Sequence, residues 1–170
     1  MRGRRALALA AATILAACSL EPRESREEAF RGADEAVAPR GATLREVIHS
    51  EEVASLPVFS PAVRAGGFIF LSGAIGVAEG TLELVEGGVE AEARQTMENI
   101  GDVLAAAGAT FDDVVKCTVF LADMADYAAV NAVYAEYFPS DPPARSAVAG
   151  SGLALGARVE IECLALDRAG

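Results

Sequence analysis

The sequence predicts an α+β domain, a mixed β-sheet with two helices on one face, from three observations. Of its 170 residues, 52% are hydrophobic and 23% charged, the balance of one globular core. Two stretches, 89–107 and 123–137, carry apolar residues at helical spacing. Around them lie short β-branched or alternating runs bounded by Gly and Pro, giving the order β-β-β-α-β-α-β-β. Strands separated by helices imply parallel crossovers, and right-handed crossovers place both helices on one face. The other face then lacks cover within the chain, and a partner subunit is the economical solution.

Taking the elements in order, residues 1–17 combine Arg2, Arg4 and Arg5 with an apolar run, 6–17, shorter than the roughly 18 to 20 residues that span a bilayer. This is the pattern of a secretory signal. Its end, Leu15-Ala16-Ala17-Cys18, resembles the bacterial lipobox, which implies lipidation of Cys18 and a protein exported and anchored to the periplasmic face of a membrane. Cleavage there would remove three Arg and no acid, taking the net charge from −11 to −14. Residues 18–42 mix both charge signs with Pro, Gly and Ala. Leu20, Phe30 and Val37 alone are large and apolar, too few for a core, so this stretch is expected to be a tether with at most a short helix over 23–37. The folded domain is expected at 43–170.

Within it, 45–49 reads as a short strand, and 59–65 leads through Gly66-Gly67 into 68–72 as a hairpin. Residues 78–88 alternate weakly and read as an edge strand or an irregular loop. The first helix, 89–107, turns Val89, Ala93, Met97, Ile100, Val103, Leu104 and Ala107 inward and stops at Gly108. Glu90, Glu92, Arg94, Glu98 and Asp102 form its expected solvated side, with acids favoured early by the helix dipole. Residues 114–121 read as a buried strand. Asp123 or Asp126 then caps a second helix that turns Val130, Val133, Tyr134 and Tyr137 or Phe138 inward and ends before Pro139. Two more strands follow, 145–149 and the cleanly alternating 158–166.

Composition narrows function. Fourteen Lys and Arg against 25 Asp and Glu disfavour nucleic acid, whose binding draws on cationic side chains. One His and three scattered Cys do not make a zinc set or a disulfide-rich scaffold. His49 reads as a surface residue, and Phe68, Phe70, Tyr127, Tyr134 and Tyr137 as core or interface rather than a stacking platform. Cys117 and Cys163 lie in strands that could be neighbours, where export would allow them to oxidise, and read as two buried reduced thiols in preference to a disulfide.

Three polar positions stand out: Arg145 after Pro142-Pro143-Ala144, Glu160 in an otherwise apolar strand, and Ser72-Gly73 at a strand end. Singly, each has a structural reading. Arg145 could be an ion-pair partner, Glu160 part of a solvated face with Arg158 and Glu162, and Ser-Gly a turn. Together with SPAVRAGGFIFLSGAIG (60–76), EARQTMENIGDVLAAAG (92–108), VVKCTVFLADMADYAAVNAVY (114–134), PPARSAVAGSGL (142–153) and RVEIECLAL (158–166), they resemble the RidA/YjgF family of reactive intermediate deaminases across 45–168.

That resemblance implies a chorismate-mutase-like fold, a homotrimer with three interfacial clefts, and hydrolysis of 2-imino acids and their enamine tautomers to 2-oxo acids and ammonia. It needs no metal or organic cofactor, because an imine is already electrophilic. Arg145 would bind the substrate carboxylate as a bidentate fork, and Glu160 would act on the attacking water as general base. Backbone groups at Gly73 and Ala147 would hold the imine nitrogen and carboxylate, with Ser72 hydrogen-bonding in the cleft. Two departures stand against the family pattern. Phe59 replaces a common Tyr and loses its hydroxyl, and Ala147 stands where bacterial members often carry Cys. The rival readings are a non-catalytic binding module for small carboxylate metabolites in the same cleft and an endoribonuclease, the second opposed by the charge.

Overall fold

The computed structural model describes residues 45–53 and 56–168. The expected signal at 1–17, Cys18 and the tether at 18–42 lie outside the described residues. Among those described, seven strands form one mixed sheet in the order β1-β2-β3-β7-β5-β6, with β4 also paired to β7. They are β1 (Glu46–Ile48), β2 (Ala62–Ala65), β3 (Phe68–Leu71), β4 (Ala74–Ile75), β5 (Val114–Leu121), β6 (Ala144–Ala149) and β7 (Val159–Leu166). Helix α1 (Val89–Ala106) follows β4, and α2 (Tyr127–Tyr137) follows β5. The expected order holds, with β4 as the addition. Two residues are too few to show alternation in a sequence.

Local chemistry explains the connections. Gly66 and Gly67 both take positive φ, 59° and 82°, which is what a two-residue type I′ turn between β2 and β3 requires. Helix α1 buries Ala93, Met97, Ile100 and Leu104 and ends in a Schellman motif. The Ala109 N–H donates to the Leu104 carbonyl, the Gly108 N–H donates to the Ala105 carbonyl, and Gly108 takes φ 75°. Residues 78–88 form an irregular loop with a single bridge between Val77 and Leu84.

β5 and β6 run parallel across the α2 crossover, while β7 is antiparallel to β3, β4 and β5. Along β7, Val159, Ile161, Cys163 and Ala165 are buried beneath the helices, and their alternates face the other way. That second face carries apolar residues in the open: Phe70 is 50% exposed, Val148 47% and Leu166 40%.

Two sequence expectations change. Glu92 is not on a solvated face. It is buried, and its Oε2 accepts the Arg158 backbone N–H at 2.8 Å, because α1 is pressed against the sheet at Gly76. A Cβ on Gly76 would stand 2.6 Å from the Glu92 carbonyl oxygen. Cys117 and Cys163 are a disulfide rather than two thiols. The antiparallel register sets them directly opposite, with Cα atoms 4.1 Å apart on the same buried face.

The contact at Gly76 can be tested by stability. Gly76→Ala should cost about 3 kcal/mol in urea denaturation, because backbone on both sides leaves nothing flexible to move. Wild-type stability would contradict so close an approach.

Candidate active site

The site grows from the first residues of β7. Arg158 ties that end to both helices. Its backbone N–H reaches Glu92 of α1, and its guanidinium grips buried Asp126 at the start of α2, with Nε 3.0 Å from Oδ2. Asp123 caps the short 3₁₀ turn Met124–Asp126 that leads into α2, its carboxylate accepting the Ala125 N–H at 2.9 Å. Asp126 stands at the N-cap of α2 itself and gives its carboxylate to Arg158 instead of a helix N–H. With Val159 and Ile161 locked into the core, Glu160 projects from the opposite face. It stands beside Ile75 of β4 and Phe120 of β5.

The Glu160 carboxylate lies against Gly73, where a Cβ would fall 2.0 Å from Oε1, so any larger residue there would displace the carboxylate. Partial burial, reinforced by the negative charge of Glu162, raises the Glu160 carboxyl above its usual range. Phe59, Ser72, Gly73 and Glu160 line one cavity of about 270 Å³. Ser72 holds its shape. Its Oγ donates to the Ser60 carbonyl at 2.7 Å and its N–H to the Pro61 carbonyl at 2.9 Å.

Arg145 lies elsewhere. In the parallel ladder its register partner is Cys117, so it shares the helix-side face and emerges at the sheet edge against α2. Its guanidinium carbon stands 4.8 Å from the Tyr134 ring centre and 5.6 Å from that of Tyr127. Nη2 donates to the Tyr127 hydroxyl at 3.2 Å. A hydrogen bond with Asn131, and then the Arg145 charge, lowers the Tyr127 phenol below its ordinary value. Burial pushes Tyr134 up to about 12. Ala147, two residues along β6, shares the face of Arg145 and registers with Val119.

Four of the expected site residues therefore come together, Phe59, Ser72, Gly73 and Glu160. Arg145 and Ala147 form a second group on the other face of the same sheet. Cys18 lies outside the described residues. Tyr127 and Tyr134, read from sequence as core or interface, make a stacking platform for Arg145. Their separation of seven residues, two helical turns, was the available signal. Asn99 had no such signal. Both hydrogens of its buried amide are donated to the Ile75 and Val77 carbonyls at 3.0 Å, which holds β4 in place.

The family model described as Endoribonuclease L-PSP matches residues 49–167. The chain is 43% identical over 122 residues to "Reactive Intermediate Deaminase A, chloroplastic" of Arabidopsis thaliana, covering 71% of this chain and 65% of that protein, just under two thirds of its length. It is 43% identical to the "2-iminobutanoate/2-iminopropanoate deaminase" of Mus musculus, covering 73% of this chain and 93% of that one. The crystal structure of the YjgF gene product from E. coli superimposes with a TM-score of 0.68 at 35% identity, over 72% of this chain and 99% of that one. The expected export and lipid anchoring are overturned by such relatives. One is named chloroplastic, and another, 38% identical in Schizosaccharomyces pombe, is named "Protein mmf1, mitochondrial". No helix among the described residues is long and apolar enough to cross a membrane. The matched span, its identities and the shared fold lead to one conclusion: this chain belongs to the RidA/YjgF family.

Proposed function

We propose that the protein is an imine/enamine hydrolase that converts reactive 2-imino acids to 2-oxo acids and ammonia in clefts between the subunits of a homotrimer. The observation that carries this reading is the division of the site. A single chain presents Arg145 and Glu160 on opposite faces of one sheet, each partly exposed. The exposed Phe70, Val148 and Leu166 supply an apolar face for a neighbouring copy, which would bring its Arg145 and Ala147 to this copy's Phe59, Gly73 and Glu160. Names of relatives such as the mouse 2-iminobutanoate/2-iminopropanoate deaminase support the reaction class.

The chemistry follows from the two halves. Stacked on Tyr134 and held at one edge by Tyr127, the guanidinium of Arg145 is oriented before substrate arrives, and it takes the carboxylate as a planar fork. Glu160 accepts a proton from water as its oxygen bonds to the imine carbon. Glu160 returns that proton to the nitrogen, giving the neutral carbinolamine. It then takes the carbinolamine O–H proton and delivers it to the nitrogen as the C–N bond breaks, so the C=O of the 2-oxo acid forms and ammonia departs. The raised carboxyl makes Glu160 a better base than an ordinary carboxylate. Phe59 supplies a ring with no hydroxyl, so it shapes the cleft without taking part in proton transfer. The acidic charge of −11 opposes an RNA substrate.

Turnover of 2-imino acids generated by an amino-acid oxidase, followed by suppression of semicarbazone formation, tests the reading directly. Arg145→Ala should remove a charge-assisted pair worth roughly 2 to 5 kcal/mol at a desolvated site, so binding and turnover fall together, and Arg145→Lys should not restore them. Glu160→Gln should lower kcat on the order of 100-fold with 2-oxo acid affinity nearly kept. Wild-type hydrolysis by that variant would remove the general-base role. A wild-type protein that binds 2-oxo acids through Arg145 without hydrolysing imines would be a binding module instead.

Two further expectations concern pH and assembly. Glu160 works as the carboxylate, so kcat/KM should fall as pH drops through its pKa, with a midpoint above the ordinary value of 4.5. Glu160→Gln should abolish that acid limb. Sedimentation should report three times the 17.5 kDa chain mass, and a fully active monomer would contradict a shared site.

A further inference from the structure

The cavity that holds Glu160 has a chemistry of its own, beyond hydrolysis. Its polar side chains are already committed within the protein. The Ser72 hydroxyl hydrogen goes to the Ser60 carbonyl. The Asn99 amide donates to the Ile75 and Val77 carbonyls, and its Oδ1 accepts from Gln95 Nε2 at 3.0 Å. Among the described lining residues, Glu160 is then the one charged group, and the remaining wall is largely hydrocarbon. A polar substituent entering this space would lose its hydration and find few partners, whereas an apolar one loses nothing.

The rim reinforces the point. Phe59, Leu82 and Leu155 line the cavity, yet remain 45%, 47% and 58% exposed. Leu155 is also held at φ 57°, ψ 12°, in the left-handed region where residues other than glycine are uncommon. An exposed leucine in that backbone state lining an apolar cavity lies outside the chain's own core packing and is free to meet what enters there.

We propose that this cavity is the subsite for the substrate side chain, and that the protein prefers 2-imino acids bearing large apolar substituents, branched aliphatic or aromatic, with Phe59, Leu82 and Leu155 closing over them. The proposal rests on the hydrolase reading for where the reacting carbon sits. About 270 Å³ must also take the imine carbon and the attacking water beside Glu160, and it still exceeds what these and a methyl substituent fill, so small substrates leave part of the wall unused. Acidic side chains meet Glu160 with like charge.

The experiment has a binding arm and a turnover arm. Calorimetric titration with the 2-oxo acids of leucine and phenylalanine should give affinities at least tenfold tighter than with those of alanine and glutamate. In turnover, kcat/KM should rise roughly fourfold per added methylene in the imine side chain. Leu155→Ser should shrink the ratio of kcat/KM between leucine-derived and alanine-derived imines by about tenfold. Equal affinities, a preference for the glutamate-derived acid, or no measurable binding of the two large acids would overturn the subsite. Hydrolysis with a flat side-chain profile would overturn it while leaving the hydrolase reading intact. Absent hydrolysis with the apolar binding order preserved would do the reverse.

Discussion

One strand governs the rest of the structure. β7 pairs antiparallel with β3 and β4 on one side and with β5 on the other, and its strict alternation assigns every neighbour to a face. Val159, Ile161, Cys163 and Ala165 seat the two helices, and the same alternation leaves Glu160 no choice but the opposite face. A slip of one residue would bury Glu160 and Glu162 and expose the core residues, a cost no single contact could offset. Arg158 guards that register. It couples the first residues of β7 to Glu92 of α1 and Asp126 of α2, so the strand and both helices fix one another.

The same geometry separates the two chemistries of the candidate site. Arg145 belongs to β6, whose register with β5 turns it to the helix side, where aromatic rings of α2 hold its guanidinium. A stacked guanidinium keeps its in-plane N–H groups available, so packing restrains the fork without consuming it. Glu160 stands on the other face, where partial burial and then the like charge of Glu162 raise its carboxyl. On opposite faces of one sheet, the Arg145 guanidinium and the Glu160 carboxylate cannot neutralise each other as an ion pair within the chain.

Most of the fold was legible because its signals are periodic. The alternation of residues 158–166, the helical stripe from Ala93 to Leu104 and the Gly66-Gly67 turn each repeat one physical rule over several positions. Phe59, Ser72, Gly73 and Glu160 fall around one cavity, although their roles there remain a proposal. What escaped the sequence depends on contacts distant along the chain. β4 is two residues long and exists through Asn99 and β7. Glu92 sits on the polar side of its helix by periodicity and is buried only because Gly76 lets the sheet come close. The disulfide needed the register of β5 against β7 before the two cysteines could be placed opposite each other. Tyr127 and Tyr134 share a helix face by spacing, but nothing in the spacing says that a guanidinium lies on them.

Gly73 and Gly76 bracket β4, one moulded to the Glu160 carboxylate and the other to the α1 backbone. Neither takes a positive φ, so the demand is purely one of space. Every single-nucleotide change that replaces a glycine codon's amino acid introduces at least a Cβ. At Gly76 the molecule therefore has no neighbouring genotype that keeps its geometry, and at Gly73 none that keeps the Glu160 carboxylate where it lies. Drift in this part of the gene is confined to silent substitutions unless Glu160 or α1 moves first.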